Sequence, residues 1–206
     1  MRGKFIVVEG LEGAGKSSVI QLLVDRIEAS GHRCVTTREP GGTAMAEAIR
    51  ECVKQPWDET VAQETELMLM YAARRQLLIN KIFPALEDNV WVVGDRHELS
   101  SLAYQGGGRQ IDANIMATLS EITLKGFKPD LTLYLDVTPE KGLERARGRG
   151  ELDRIEREGM AFFTRTRERY LALAAADESI ITIDAMQPMG AVHRDVSDRL
   201  KAFLTC

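Results

Sequence analysis

The sequence predicts an α/β domain: a five-stranded parallel sheet with helices on both faces. Three observations predict it. Five short apolar runs rich in β-branched residues recur along the 206 residues, as strands buried on both faces do. Segments of helical period separate them, the alternation that builds parallel sheets. The first run ends in a glycine-rich turn that opens a helix.

In order, Phe5–Glu9 (FIVVE) reads as the first strand, Gly10–Gly15 as the turn, and Lys16–Ala29 as a helix closed by Gly31. Arg33–Thr37 is the second strand, followed by a turn at Glu39-Pro40-Gly41-Gly42. Thr43 caps a helix to Val53, which Gln55-Pro56 ends. Val61–Leu86 is a long helical stretch perturbed near Pro84. Val90–Gly94 is the third strand. Helical pieces at Leu99–Tyr104 and Ile111–Lys125 are separated by Gly106-Gly107-Gly108. Leu131–Val137 is the fourth strand, Pro139 opens a helix, Phe162–Ala176 is helical, Ser179–Ile183 is the fifth strand, and a helix runs from Met189.

At about 150 residues per domain, this length predicts one domain, residues 1–206, without an internal linker or repeat. Lys and Arg number 27 against 31 Asp and Glu, a net charge of −4. A mildly acidic chain argues against a nucleic acid polymer as partner, since that binding needs a basic face. Cys34, Cys52 and Cys206 show no metal or disulfide spacing, which predicts a reducing, cytoplasmic setting. No apolar stretch reaches the ~18 residues of a membrane span.

Gly10-Leu11-Glu12-Gly13-Ala14-Gly15-Lys16-Ser17 matches the phosphate-binding pattern G-x-x-x-x-G-K-[ST] without deviation, between a strand and a helix. Glycines let backbone N–H groups curl around phosphate, and the helix N-terminus adds a favourable dipole. Residues 10–17 and Ser18 therefore form the expected ATP site of a P-loop NTPase-like fold. Lys16 reaches the β- and γ-phosphates and Ser17 binds magnesium. A guanine-reading N-K-x-D is missing, because Asn80-Lys81 continues Ile82-Phe83.

Ligands of open parallel sheets bind at the carboxyl ends of the strands. Strand two ends in Thr37-Arg38-Glu39-Pro40, and strand three in Asp95-Arg96. Asp95 reads as support for magnesium or as a helix cap. Asp136 reads as a cap or an ion-pair partner. Arg38, Arg50, Arg74 and Arg96 are candidates for a second phosphate, because guanidinium forks match phosphate oxygens. Arg145, Arg147, Arg149 and Arg154 crowd ten residues with two glycines. That reads as a lid at about 145–156 that brings charge to a transferring phosphoryl group, or as a solvated helix end.

GLEGAGKS (10–17), TREPGGT (37–43), YAAR (71–74), GDR (94–96), SSLAYQGGGR (100–109), PDLTLYLDV (129–137) and RARGRGELDR (145–154) together resemble the thymidylate kinase family of the bacterial type. The resemblance implies ATP-dependent phosphorylation of dTMP to dTDP with Mg2+, usually by a homodimer. It implies that Glu12 reaches the acceptor sugar and that Arg74 and Arg96 hold the acceptor phosphate. Glu39, Pro40 and Arg50 match the acceptor site, with a candidate cis bond at Glu39–Pro40. Ser101, Tyr104 and Gln105 match positions around base and sugar. Many relatives stack a phenylalanine on thymine where this chain has Met70, a polarisable side chain without a flat π face. His97 stands where an aromatic often follows the Asp-Arg pair, and reads as solvated.

With no basic residue inside the turn, the resemblance puts a catalytic arginine in the lid, Arg149 or Arg154. Lys16, Asp95 and Arg96 complete the expected catalytic set. Two other readings stay open: a kinase for dUMP, dCMP or AMP, and a regulatory nucleotide-binding module.

Overall fold

A computed structural model describes residues 2–148 and 153–205. Five parallel strands form one sheet in the order β2-β3-β1-β4-β5: β1 Phe5–Glu9, β2 Cys34–Arg38, β3 Trp91–Asp95, β4 Leu131–Asp136 and β5 Ile180–Asp184. Each strand starts within one residue of its expected place. Successive side chains of β1 point to opposite faces. Ile6 and Val8 join the main core with Val19, Leu23 and Ile27 of α1 (Lys16–Ala29). Phe5 and Val7 join a second core with Leu77, Leu86 and Leu124. Both faces are covered, as a parallel sheet requires.

The chain order reverses at β1: β2 and β3 lie on one side of it, β4 and β5 on the other. That reversal opens a crevice at the carboxyl ends. There Val8 and Arg38 both align with Asp95.

The remaining helices are α2 Ala44–Lys54, α3 Gln63–Leu77, α4 Phe83–Glu87, α5 Glu98–Ser101, α6 Ala113–Leu124, α7 Pro139–Arg147, α8 Met160–Ala176 and α9 Met189–Leu204. Thr43 caps α2 by accepting from Ala46 N at 3.4 Å. Asp136 takes the ion-pair role, accepting two hydrogen bonds of 2.8 Å from Arg167. The long helical stretch is three pieces. A π-helical segment, Leu78–Ile82, joins α3 to α4, whose first turn holds Pro84. A wider turn before proline relieves its clash with the carbonyl four residues back.

The structure corrects the expected break at the three glycines. Leu102–Gly108 continues α5 as a π-helical segment. The glycines serve close approach to α8. A Cβ on Gly107 would stand 2.5 Å from Cβ of Arg169, and one on Gly108 2.5 Å from the Phe162 ring. Phe162 and Thr166 are buried and cannot yield. We predict that Gly108→Ala loses about 1–3 kcal/mol by overpacking, read by urea denaturation. An unchanged midpoint would contradict this packing account.

Candidate functional site

The phosphate turn needs its glycines. Gly13 has φ 75°, and a Cβ there would lie 2.2 Å from Gly142 O. Leu11 and Ala14 are buried and anchor the turn in the main core. Gly15 precedes α1 in a left-handed conformation, with no side-chain cap and no acidic residue in the first turn. The leading N–H groups of α1 are thus left for an anion. Lys16 Nζ donates to Gly10 O and Leu11 O, both at 3.2 Å. Burial, reinforced by Arg96, pulls its pKa down to about 8. Ser17 is exposed, whereas Ser18 Oγ pairs with His193 Nε2 at 2.7 Å and so also ties α1 to α9.

Beside the turn lies a cleft of about 350 Å³, at the small end for ligand pockets and suited to one nucleotide. Twelve expected site residues line it: Glu12, Lys16, Glu39, Pro40, Arg50, Met70, Arg74, Asp95, Arg96, Ser101, Tyr104 and Gln105. Strand ends and helices bring them together from positions 12 to 105. Arg38, a candidate for the second phosphate, is a thirteenth, and Lys54, His97 and Asp153 line it as well.

Two ion pairs, one part-buried and one buried, organise the cleft. At the phosphate-turn end, Arg96 donates to Glu12 Oε1 at 2.6 Å, to Tyr104 OH at 3.2 Å and to Ser100 Oγ at 3.1 Å. Tyr104 OH donates to Glu12 Oε2 at 2.7 Å. Arg96 holds φ 71°, a sparsely populated conformation for a side-chain-bearing residue. Burial raises the Glu12 pKa, but Arg96 and Lys16 outweigh it, so the net direction is down. At the other end, Arg74 donates Nε to Glu39 Oε2 at 2.7 Å, and Nη2 to Ser101 Oγ at 2.9 Å and to His97 O at 3.0 Å. Its Nη1 is buried without a partner. The Glu39–Pro40 bond is cis. Arg50 donates to Pro40 O at 2.8 Å, and burial together with Arg38 lowers its pKa.

His97 is not solvated. It is 1% exposed, pairs through Nδ1 with Glu39 Oε1 at 2.7 Å, and packs its ring edge-on to Phe5 at 5.2 Å. Glu9 was not foreseen either. It is fully buried and accepts from His97 N (2.7 Å), Ser100 N (3.3 Å), Ser100 Oγ (2.6 Å) and Tyr170 OH (2.9 Å). Those bonds seat the Arg96–Ser100 segment. Burial still pushes the Glu9 carboxyl up. Its only sequence signal is a carboxylate closing an apolar strand.

Arg149 lies outside the described residues. Arg154 does not line the cleft: its Nη2 donates to buried Glu66 at 2.6 Å and its Nε to Val53 O at 3.0 Å. Among the described residues no cluster of three His, Cys, Asp or Glu could hold a metal. Asp95 Oδ1, however, is buried without a partner. A carboxylate oxygen without a partner, with an exposed Ser17 hydroxyl at the start of α1, fits in chemistry a magnesium ion whose other ligands are phosphates and water.

Burial raises the pKa of Glu39, while Arg74 and His97 pull it down further, so the net shift is downward. Its stabilising contribution is therefore full above pH 4.5 and is lost as pH falls through the depressed folded value. We predict that Arg74→Met costs about 3–5 kcal/mol at neutral pH by stranding Glu39. It should also flatten the fall in stability below pH 4.5, read by denaturation across pH. A variant as stable and as acid-sensitive as the parent would contradict the pairing.

The family model described as thymidylate kinase matches residues 8–196. A thymidylate kinase of Alteromonas mediterranea is 70% identical over 95% of this chain and 88% of its own length. Those of Idiomarina loihiensis and Pseudoalteromonas translucida are each 58% identical, covering 99% and 98% of this chain and 100% and 98% of their own. With a phosphate turn, an arginine-lined cleft and this extent of likeness, the chain belongs to the thymidylate kinase family.

Proposed function

We infer that the cleft is where this chain, a thymidylate kinase, carries out ATP-dependent phosphorylation of dTMP to dTDP for dTTP synthesis. The observation that carries this is the pairing of an anion-ready helix N-terminus with a second cationic wall in one small cleft. A nucleotide switch has no use for the second wall.

Each end of the cleft takes one part of the acceptor. The Arg96, Lys16 and Asp95 end takes its phosphate, and Glu12 and Tyr104 meet the sugar. Ser101, Gln105, Met70 and Arg74 Nη1 take the base. Arg74 was expected to hold phosphate. Already neutralised by Glu39, with only the N–H groups of Nη1 open, it suits a neutral carbonyl better than a dianion. Arg50 gains from an anion, because its burial and Arg38 both oppose its charge.

Phosphoryl transfer asks for alignment and charge neutralisation rather than covalent help. Residues 10–18 hold the ATP phosphates through backbone N–H groups. Lys16 leaves the carbonyls of Gly10 and Leu11 for the γ-phosphoryl oxygens. Arg96 keeps the acceptor oxygen in line, and that phosphate is already ionised at neutral pH. Ser17 and Asp95 would hold magnesium, which supplies further neutralisation of the phosphates when bound.

Two finer readings complete the proposal. The protein works as a homodimer. Met68, Ala72 and Ile79 share one face of α3 and its continuation, and Ile115 and Ile122 share one face of adjacent α6, all exposed. Ile122, 64% exposed, is the most open of these, so Ile122→Glu should convert dimer to monomer by light scattering. A monomeric parent would contradict this reading. The protein also works in the cytoplasm, supported by cysteines without a disulfide framework; no helix is long and apolar enough to cross a membrane among the described residues.

The functional test is ADP release from ATP with dTMP, dUMP, dCMP and AMP in turn, repeated across pH. We predict release with dTMP above all others. kcat/KM for ATP should fall above about pH 8, where Lys16 of the free enzyme loses its proton. kcat should hold to higher pH, because bound phosphates restore the ammonium. Acceptor-independent release, or kcat/KM flat to pH 10, would contradict the scheme.

A further inference from the structure

One buried charge has no part in that reaction. Glu66 on α3 is 1% exposed and does not line the cleft. Its carboxylate gathers donors from two distant parts of the chain. Gln105 Nε2 donates to Oε1 at 2.9 Å. Arg109 donates Nε to Oε1 at 3.3 Å and Nη2 to Oε2 at 3.1 Å. Arg154 Nη2 donates to Oε2 at 2.6 Å. Glu158 pairs with Arg109 in turn, which balances two guanidinium groups against two carboxylates. Although burial raises the Glu66 pKa, Arg109, Gln105 and Arg154 more than offset it, and the group is held ionised.

These bonds set two walls of the cleft. An ionised carboxylate only accepts, so Gln105 must turn its NH2 toward Glu66. That takes one amide N–H and turns the carbonyl oxygen away from Glu66, where it can serve as an acceptor suited to a pyrimidine that carries a ring N–H. Arg154 anchors the segment 153–158. Its backbone N donates to Lys54 O at 3.2 Å, and Lys54 pairs with Asp153 at 2.6 Å. This segment contributes Asp153, Ile155 and Glu156 to the cleft lining.

We propose that Glu66 is a positioning residue that couples occupancy of the base end, at Gln105, to the wall at 153–158, through Arg154. The proposal rests on the acceptor reading above. A base held by Gln105 fixes the amide, the amide fixes the carboxylate, and the carboxylate fixes Arg154. Coupling of this kind is reciprocal: a firm wall also tightens acceptor binding. Glu66 touches no substrate and takes no part in the transfer itself.

The test is hydrogen exchange on the full chain with dTMP as the probe, comparing the parent with Glu66→Gln. The substitution keeps the shape and removes the charge, leaving Arg109 and Arg154 facing one neutral amide. In the parent, saturating dTMP slows exchange across 153–158 by about fivefold or more, the usual scale of such coupling. In Glu66→Gln the slowing is lost even with calorimetry showing dTMP saturated, and KM for dTMP rises more than kcat falls. A purely structural role would lower the melting temperature and leave the slowing intact; equal slowing in both proteins overturns the proposal. Should Glu66→Gln fail to fold, Arg154→Met breaks the same link from its more exposed side, with the same loss expected and intact slowing again decisive against it. If dTMP binds the parent without changing exchange at 153–158, the coupling alone is wrong. If dTMP does not bind at all, the acceptor reading falls with it.

Discussion

The Arg96–Glu12 pair joins the two halves of this site. Glu12 belongs to the glycine-rich turn after β1, and Arg96 directly follows β3; in the proposed function these take the donor and the acceptor. Each keeps the other ionised at 15% side-chain exposure. Without Glu12, Arg96 would be a buried cation in a strained backbone conformation; without Arg96, Glu12 would be a buried anion beside the position of other anions. Either loss costs several kcal/mol. The rest of the cleft is built to keep this contact. Glu9 seats the segment that follows Arg96, Tyr104 bonds both partners, and Tyr170 OH lies 3.4 Å from Arg96.

Among the described residues, four buried side-chain atoms lack a protein partner: Thr37 Oγ1, Arg74 Nη1, Asp95 Oδ1 and His97 Nε2. Arg74 Nη1 and Asp95 Oδ1 are buried without partners, each at a penalty of about 1–3 kcal/mol. Lys16 is bonded to carbonyls of its own turn. Arg74 Nη1 is a donor on a side chain bonded to Ser101, and Asp95 Oδ1 is an acceptor at the end of β3. In the proposed binding mode, a nucleotide along the cleft would meet a donor at its base end and a carboxylate able to support magnesium at its phosphate end. Unsatisfied buried groups concentrate at sites where binding repays them.

Much of this was legible because it is local. The phosphate turn is one contiguous pattern in its strand–helix context, and the strands are contiguous apolar runs. What escaped is long-range. Glu9 meets Tyr170 161 positions away, and Glu66 meets Arg154 88 positions away. A carboxylate in one strand or helix carries no mark of partners at such separations. His97 looked like a solvated residue because its burial depends on Phe5 and Glu9 of β1 and on Glu39 after β2, all distant in sequence. Gly106–Gly108 looked like a break because glycine clusters usually are; here the missing side chains make room for α8. The arginine-rich stretch was legible as charge, but the destination of Arg154 depended on the unforeseen Glu66.

The central claim is that one acceptor nucleotide lies along the cleft with its phosphate at the Arg96–Glu12 end. A crystal structure of the full chain with dTMP bound tests it most directly. The account predicts phosphate oxygens within hydrogen-bond distance of Arg96, and a thymine carbonyl on Arg74 Nη1. A nucleotide in the reverse orientation, phosphate against Arg74, or one bound outside the cleft, would contradict it.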